Sequence, residues 1–162
     1  MNKYIYTKSN EKFKKYFIKQ KAYLQKRIGE KVKIKHIGST AVEGLGGKNI
    51  LDISIGVEDK WDIYKKKLEK DGFKFLKKAS TKGRLFFKKD IEEYKIHIHL
   101  TKSDSKIFQE LIFFCEYLKK HPKTVKEYIK IKKEAIKQAD GIGGKYRAHK
   151  NEFIKNIIKK CN

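Results

Sequence analysis

The nine residues from Asn49 to Val57, NILDISIGV, are an almost unbroken run of β-branched and other apolar side chains. A strand wetted on one face alternates polar and apolar residues, so a run apolar at both parities reads as a strand buried on both faces, the centre of a sheet. Asp52, between Leu51 and Ile53, breaks that logic. A carboxylate in such a strand is costly unless it is paired or bound to a cation, so the strand carries a functional expectation with the structural one. Just upstream, Lys31 to Ile37 alternates Val32, Ile34 and His36 against lysines and stops at Gly38, which predicts a strand feeding a turn. Gly38 lets a ligand approach the backbone, and Ser39 and Thr40 offer hydroxyl and N–H groups to phosphate oxygens. The expected arrangement puts Gly38 and Ser39 at the end of one strand and Asp52 on the next, facing the same cleft, with Lys48 a candidate partner for the carboxylate.

The remaining pattern places strands early and helices late. Phe13, Phe17, Leu24 and Ile28 keep helical spacing in a segment from Ser9 that stops at Gly29, and Trp61, Tyr64 and Leu68 do the same from Asp59 to Asp71 before Gly72. Strand-like runs follow at Phe73 to Leu76, Arg84 to Lys88 and Tyr94 to Leu100, the last sending His97 and His99 to one face. From Ser103 the periodicity is helical: one helix through Leu118, one entered at Pro122, and a last one carrying Phe153, Ile154, Ile157 and Ile158. A chain of 162 residues with one proline reads as a single domain, 1–162, sheet-rich over 30–101 and helical over 103–160.

Composition excludes several classes. With 39% hydrophobic residues the chain can build a core, and no stretch reaches the roughly 18 apolar residues of a membrane span, so a cytoplasmic protein is expected. Cys115 and Cys161 are outside any CxxC pair and read as reduced core thiols. The net charge of +23 would ordinarily point to nucleic acid, yet only Arg27, Arg84 and Arg147 are arginines and the lysines are spread along every helix. A lysine-rich compositional bias explains the same count, and Lys132, Lys145 and Lys150 read as solvated helix faces. The glycines at 44, 46 and 47 match neither a dinucleotide loop nor a P-loop, because Val42 and Asn49 stand where the latter needs a glycine and a hydroxyl.

The segment from His36 to Ile53, HIGSTAVEGLGGKNILDI, closely resembles the GrpB family of nucleotidyltransferase-fold proteins. Arg84 with Phe86 and Phe87 is similar to that family's R-x-F-F strand, and His97 and His99 to its H-x-H strand. Phe108, Leu118, His121, Pro122, Tyr128, Lys132, Tyr146 and Lys150 fall in the order of its helical half, so the resemblance covers most of the chain. It implies an α+β (α/β) fold: a nucleotidyltransferase-like mixed sheet with helices packed on one side and a helical C-terminal half. It further implies that Gly38 and Ser39 contact phosphate and that Asp52 is the first carboxylate of a metal pair. Within the motif Glu43 and Asn49 replace two prolines of the family pattern, and Ser54 takes the place of the second carboxylate of a D-x-D transferase, a feature shared with the family.

Two functions are therefore expected to compete. One is a nucleotidyltransferase-like protein that binds a nucleoside triphosphate or related phosphate ligand and transfers a nucleotidyl group to an acceptor. In it Asp52, His97 and His99 are the catalytic set, Gly38, Ser39, Thr40, Lys48 and Arg84 hold phosphate, and Asp52 with His99 binds Mg²⁺, Mn²⁺ or Zn²⁺. The other is a non-catalytic nucleotide- or RNA-binding protein on the same fold, which the loss of a carboxylate at Ser54 favours. His97 and His99 are equally readable as plain strand residues, and Arg84 as a solvated one.

Overall fold

The computed structural model describes residues 5–9, 11–140 and 142–161. Its centre is a five-stranded mixed sheet in the order β1-β2-β5-β4-β3. The strands are β1 (Lys33–Ile37), β2 (Ile50–Val57), β3 (Lys74–Phe75), β4 (Leu85–Asp90) and β5 (Lys95–Lys102). The buried run of the sequence is β2, which pairs antiparallel with β1 and parallel with β5. The other pairs are antiparallel. Each strand lies within two residues of its predicted bounds, and the helices are α1 (Lys12–Ile28), α2 (Trp61–Lys70), α3 (Lys106–Lys120), α4 (Pro122–Ala139) and α5 (Gly143–Ile158).

The alternation of β2 divides its side chains between two environments. Leu51, Ile53, Ile55 and Val57 join Ile96, Ile98 and Leu100 of β5 in a core closed by Phe13, Leu24 and Ile28 of α1 and Leu68 of α2. Apolar burial at about 25 cal/mol per Å² makes that layer the main support of the sheet. Asp52, Ser54 and Gly56 point the other way, with His97, His99 and Thr101 beside them in register. On that second face only part of the strand pair is covered by apolar packing: a Cβ at Gly56 would lie 2.9 Å from the Phe108 ring of α3 and 3.0 Å from the Ser103 backbone. Gly56→Val is therefore expected to cost about 1–3 kcal/mol through overpacking, seen as a lower urea midpoint with an unchanged slope.

The helical half has its own apolar centre. Cys115 and Leu118 of α3, Val125 and Tyr128 of α4 and Ile157 of α5 close on Val42 and Leu45, the loop that follows the turn. Local chemistry sets the ends of these helices. The Ser105 hydroxyl accepts the Phe108 N–H at 3.2 Å and caps α3, and Pro122 opens α4, where a missing N–H costs nothing. Because the loop is held between the sheet and the helical half, residues far apart in sequence converge on the turn at Ser39.

Candidate functional site

Ile37, the last residue of β1, stands opposite Asp52 on β2, so the turn at Gly38 opens directly over the carboxylate. Gly38 adopts φ 73, and a Cβ there would sit 2.6 Å from Asp52 Oδ2. Both facts demand glycine: the left-handed backbone is open to it, and any side chain would strike the carboxylate. Gly38→Ala is expected to lower stability by about 1–2 kcal/mol and to displace Asp52, checked by thermal unfolding and by the chemical shifts of β2. After Gly38, Ser39–Ala41 form a single 3₁₀ turn. Thr40 Oγ1 donates to Ile50 O at 3.0 Å and so accepts from His36 Nε2, also at 3.0 Å, which ties the turn to β1 and β2. Burial pushes the His36 pKa down to about 4, so this imidazole is neutral, and it stacks on Phe17 of α1.

Asp52 is 22% exposed at its side chain and faces both predicted histidines. His99 Nε2 lies 3.3 Å and His97 Nδ1 3.5 Å from Asp52 Oδ1. Phe86 of β4 packs edge-on against both imidazoles, with ring centroids 4.9 and 5.1 Å away. Burial alone would raise the Asp52 pKa, but hydrogen bonds from His97 and His99 outweigh it and hold the carboxyl well below the usual range. Burial lowers the pKa of His99 despite the carboxylate. Arg84 reaches the same cluster: Nη1 lies 3.4 Å from His99 Nδ1 and Nη2 donates to Ala79 O at 3.0 Å. Of the two readings of Arg84, phosphate clamp or solvated arginine, the solvated one does not hold, because the residue is half-buried and its guanidinium is engaged at both Nη atoms.

The helical half supplies what the sequence pattern missed. Lys132 of α4, expected on a solvated face, is 4% exposed. Its Nζ donates to Gly46 O at 2.9 Å. A Cβ on Gly47 would lie 3.0 Å from that ammonium and 2.6 Å from Ser39 Oγ, so only glycine fits where the hydroxyl and the lysine both close on the loop. Lys150 of α5 is likewise drawn in, whereas Lys145 is exposed as expected. Lys48 and Lys150 each set Nζ 4.2 Å from the centroid of the buried Tyr146 ring, and Lys132 lies 5.1 Å from that of Tyr128. Burial, then neighbouring cations, lower the pKa of Lys132 to about 7 and of Lys48 to about 8. Lys150 falls to about 8, burial again leading, with Arg147 beside it. Asp52 is the carboxylate whose charge acts favourably on all three lysines. The signal available in the sequence was the i, i+4 spacing of Tyr128 and Lys132 and of Tyr146 and Lys150, which pairs an aromatic with a lysine on one helical face twice.

The loop between turn and strand departs from the family pattern with a physical consequence. Asn49 has φ 55, a left-handed value closed to the proline of that pattern, whose ring holds φ near −65°. Glu43 is exposed and faces Lys14 at 3.8 Å. It borders a groove of about 930 Å³ lined also by Phe17, His36, Leu118, Val125 and Ile129.

The donor set does not fit a metal centre of the phosphoryl-transfer kind. Such a centre shares its ions among several carboxylates. The next position of β2 on this face is Ser54, fully buried, with its Oγ lacking a protein partner. Among the described residues no three His, Cys, Asp or Glu side chains are grouped to hold an ion. The expected pair of Asp52 and His99 has a further difficulty in Arg84, which can only donate and so takes the Nδ1 lone pair of His99. The imidazole proton is then on Nε2, the atom that would have to face the metal.

A mixed sheet with a Gly-Ser turn over a strand-borne aspartate and a helical C-terminal half is a nucleotidyltransferase-like fold. Solved structures of that class share it: a cytoplasmic RNA terminal U-transferase has a TM-score of 0.51 at 21% identity, covering 77% of this chain and 40% of that one. The Cid1 poly(U) polymerase bound to MgGTP has a TM-score of 0.54 at 19% identity, covering 80% of this chain and 44% of that one. The family model described as GrpB protein matches residues 5–160, and the chain belongs to the GrpB family. It is similar to the glutamate-rich protein GrpB of Alkalihalophilus pseudofirmus, with 34% identity over 92% of this chain and 90% of that one. The crystal structure of the conserved protein GrpB from Enterococcus faecalis superposes with a TM-score of 0.85 at 26% identity, covering 97% and 96% of the two chains. Among the described residues no helix is long and apolar enough to cross a membrane.

Proposed function

We propose that this protein binds a nucleoside triphosphate or a related phosphate-bearing ligand in the cleft between the Gly38–Thr40 turn and the lysines of the helical half. One observation supports the reading: Lys48, Lys132 and Lys150 are gathered, partly or wholly buried, around the Asp52 carboxylate, with Lys132 and Ser39 both close against Gly47. Gathering like charges out of water opposes folding, and a multiply charged anion is the chemistry that reverses the cost. In this reading Ser39 and the turn amides orient a terminal phosphate, while the lysines neutralise it.

The non-catalytic form of this function is favoured over nucleotidyl transfer by Ser54, which removes the second carboxylate from the strand where a transfer centre would need it. A thermal-shift panel of ATP, GTP, UTP, inorganic triphosphate and short single-stranded RNA tests the reading. A ligand at about one hundred times its Kd is expected to raise the melting temperature by roughly 5–10 °C. The shift should shrink in Ser39→Ala. No response to any phosphate compound would remove the proposal. Pyrophosphate release from a bound triphosphate would instead establish transfer, and a response to RNA that persists in Ser39→Ala would make general charge attraction the cause.

A further inference from the structure

The Oδ1 oxygen of this cleft's aspartate is met by protein donors, and that bears on what form of phosphate the cleft takes. Arg84 is fixed by Ala79 O at 3.0 Å and presents Nη1 to His99 Nδ1 at 3.4 Å. Guanidinium has no acceptor, so His99 must offer a lone pair at Nδ1 and carry its proton on Nε2, which points at Asp52 Oδ1 from 3.3 Å. His97 Nδ1 approaches the same oxygen at 3.5 Å. The chain of contacts from Ala79 through Arg84 and His99 to Asp52 thus turns an imidazole N–H toward the oxygen that would otherwise meet a cation. Across the cleft, Lys132 interacts electrostatically with Lys48 and Lys150, and each of these two with Arg147. Three lysines facing one already hydrogen-bonded carboxylate, with Arg147 behind two of them, leave a positive excess. A phosphate chain already neutralised by a divalent ion matches that excess poorly, whereas a bare one carries the charge that fills it.

We infer that the cleft binds the metal-free form of a triphosphate or comparable polyphosphate, its lysines supplying the neutralisation that divalent ions supply in metal-dependent transfer. Arg84 acts here as a positioning residue that holds His99 as a donor to Asp52. This rests on the phosphate-ligand reading above and goes beyond it by fixing the ligand's charge state.

Calorimetric titration of the full chain with inorganic triphosphate and with ATP tests it, once in EDTA and once with excess Mg²⁺, Mn²⁺ or Zn²⁺. The expected result is binding in EDTA that divalent ions weaken by about tenfold or more, as they sequester the free anion. Asp52→Asn should tighten binding severalfold, since it removes the negative charge that faces the three lysines; a metal-bridged ligand would lose affinity instead. Nitrogen-15 spectra of His99 should show the Nε2–H tautomer with and without Mn²⁺-free Mg²⁺, and Arg84→Ala should make the tautomer mixed. Binding seen only with a divalent ion would overturn this inference while leaving the phosphate-ligand reading standing. Absence of binding in both conditions would overturn both.

Discussion

Lys132→Met is expected to make the protein more stable and to reduce triphosphate affinity by at least about a hundredfold. The two effects have one cause. The ammonium is 4% exposed, and Lys48 and Lys150 are near enough to repel it. Methionine keeps the aliphatic bulk while removing the charge, at the loss of the hydrogen bond to Gly46 O. The sign follows from linkage. The folded-state pKa is about 7 against an ordinary 10.5, so the unfolded chain binds the proton more tightly between those values and wild-type stability rises with pH across that window. Below about pH 7 both states are charged and the folded state carries the whole cost, so the methionine variant should gain about 0.5–2 kcal/mol there and lose its advantage as pH approaches 10.5. Denaturant unfolding at pH 6.5 and 9.5 reads the stability, and calorimetry reads the affinity. A variant that loses stability at pH 6.5 would show that Lys132 serves the fold and not a ligand.

Triphosphate binding at pH 8 is expected to take up about one proton or more per ligand. Lys132, at about 7, and Lys48 and Lys150, at about 8, are partly neutral in the free protein at that pH. Arg147 lies beside Lys48 and Lys150, Asp52 is ionised, and the ammoniums stand over the Tyr128 and Tyr146 rings. An arriving polyanion raises the lysine pKa values, and protons are drawn from the buffer. A terminal phosphate with a second pKa of about 6 is already ionised, so it does not account for the uptake. Affinity should therefore fall by about tenfold per pH unit for each proton, between roughly pH 8 and 9.5. Titrations in two buffers of different ionisation enthalpy give the proton count directly. A heat independent of buffer would mean that these lysines do not contact the ligand.

Much of the site was legible before any coordinates, because its parts are local. A strand with both parities apolar must be central, and a lone aspartate inside it must have a reason, so Asp52 and the neighbouring Gly38 stood out from spacing alone. The period of two put His97 and His99 on one face, and β5 shows both at Asp52. Helix starts shifted by two or three residues, as at α1, expected from Ser9 and observed from Lys12, because the first turn of a helix has no apolar periodicity to mark it.

The lysines show where that legibility ends. In a chain with 42 basic residues, Tyr128 at i−4 is the one local mark that sets Lys132 apart from its solvated neighbours Lys130 and Lys133, and its burial is decided by the closure of α4 onto the Gly46–Gly47 loop, 86 residues away. The role of Arg84 is hidden for the same reason: its contact with His99 depends on the register of β4 against β5, which no single strand encodes. Sequence alone determined the central strand, the turn over it and the aspartate between, since backbone preference and the cost of burying charge act over a few residues. Tertiary structure alone decided which cations face that aspartate and which way the His99 proton points, because burial and hydrogen-bond partnership are properties of residues brought together from different elements.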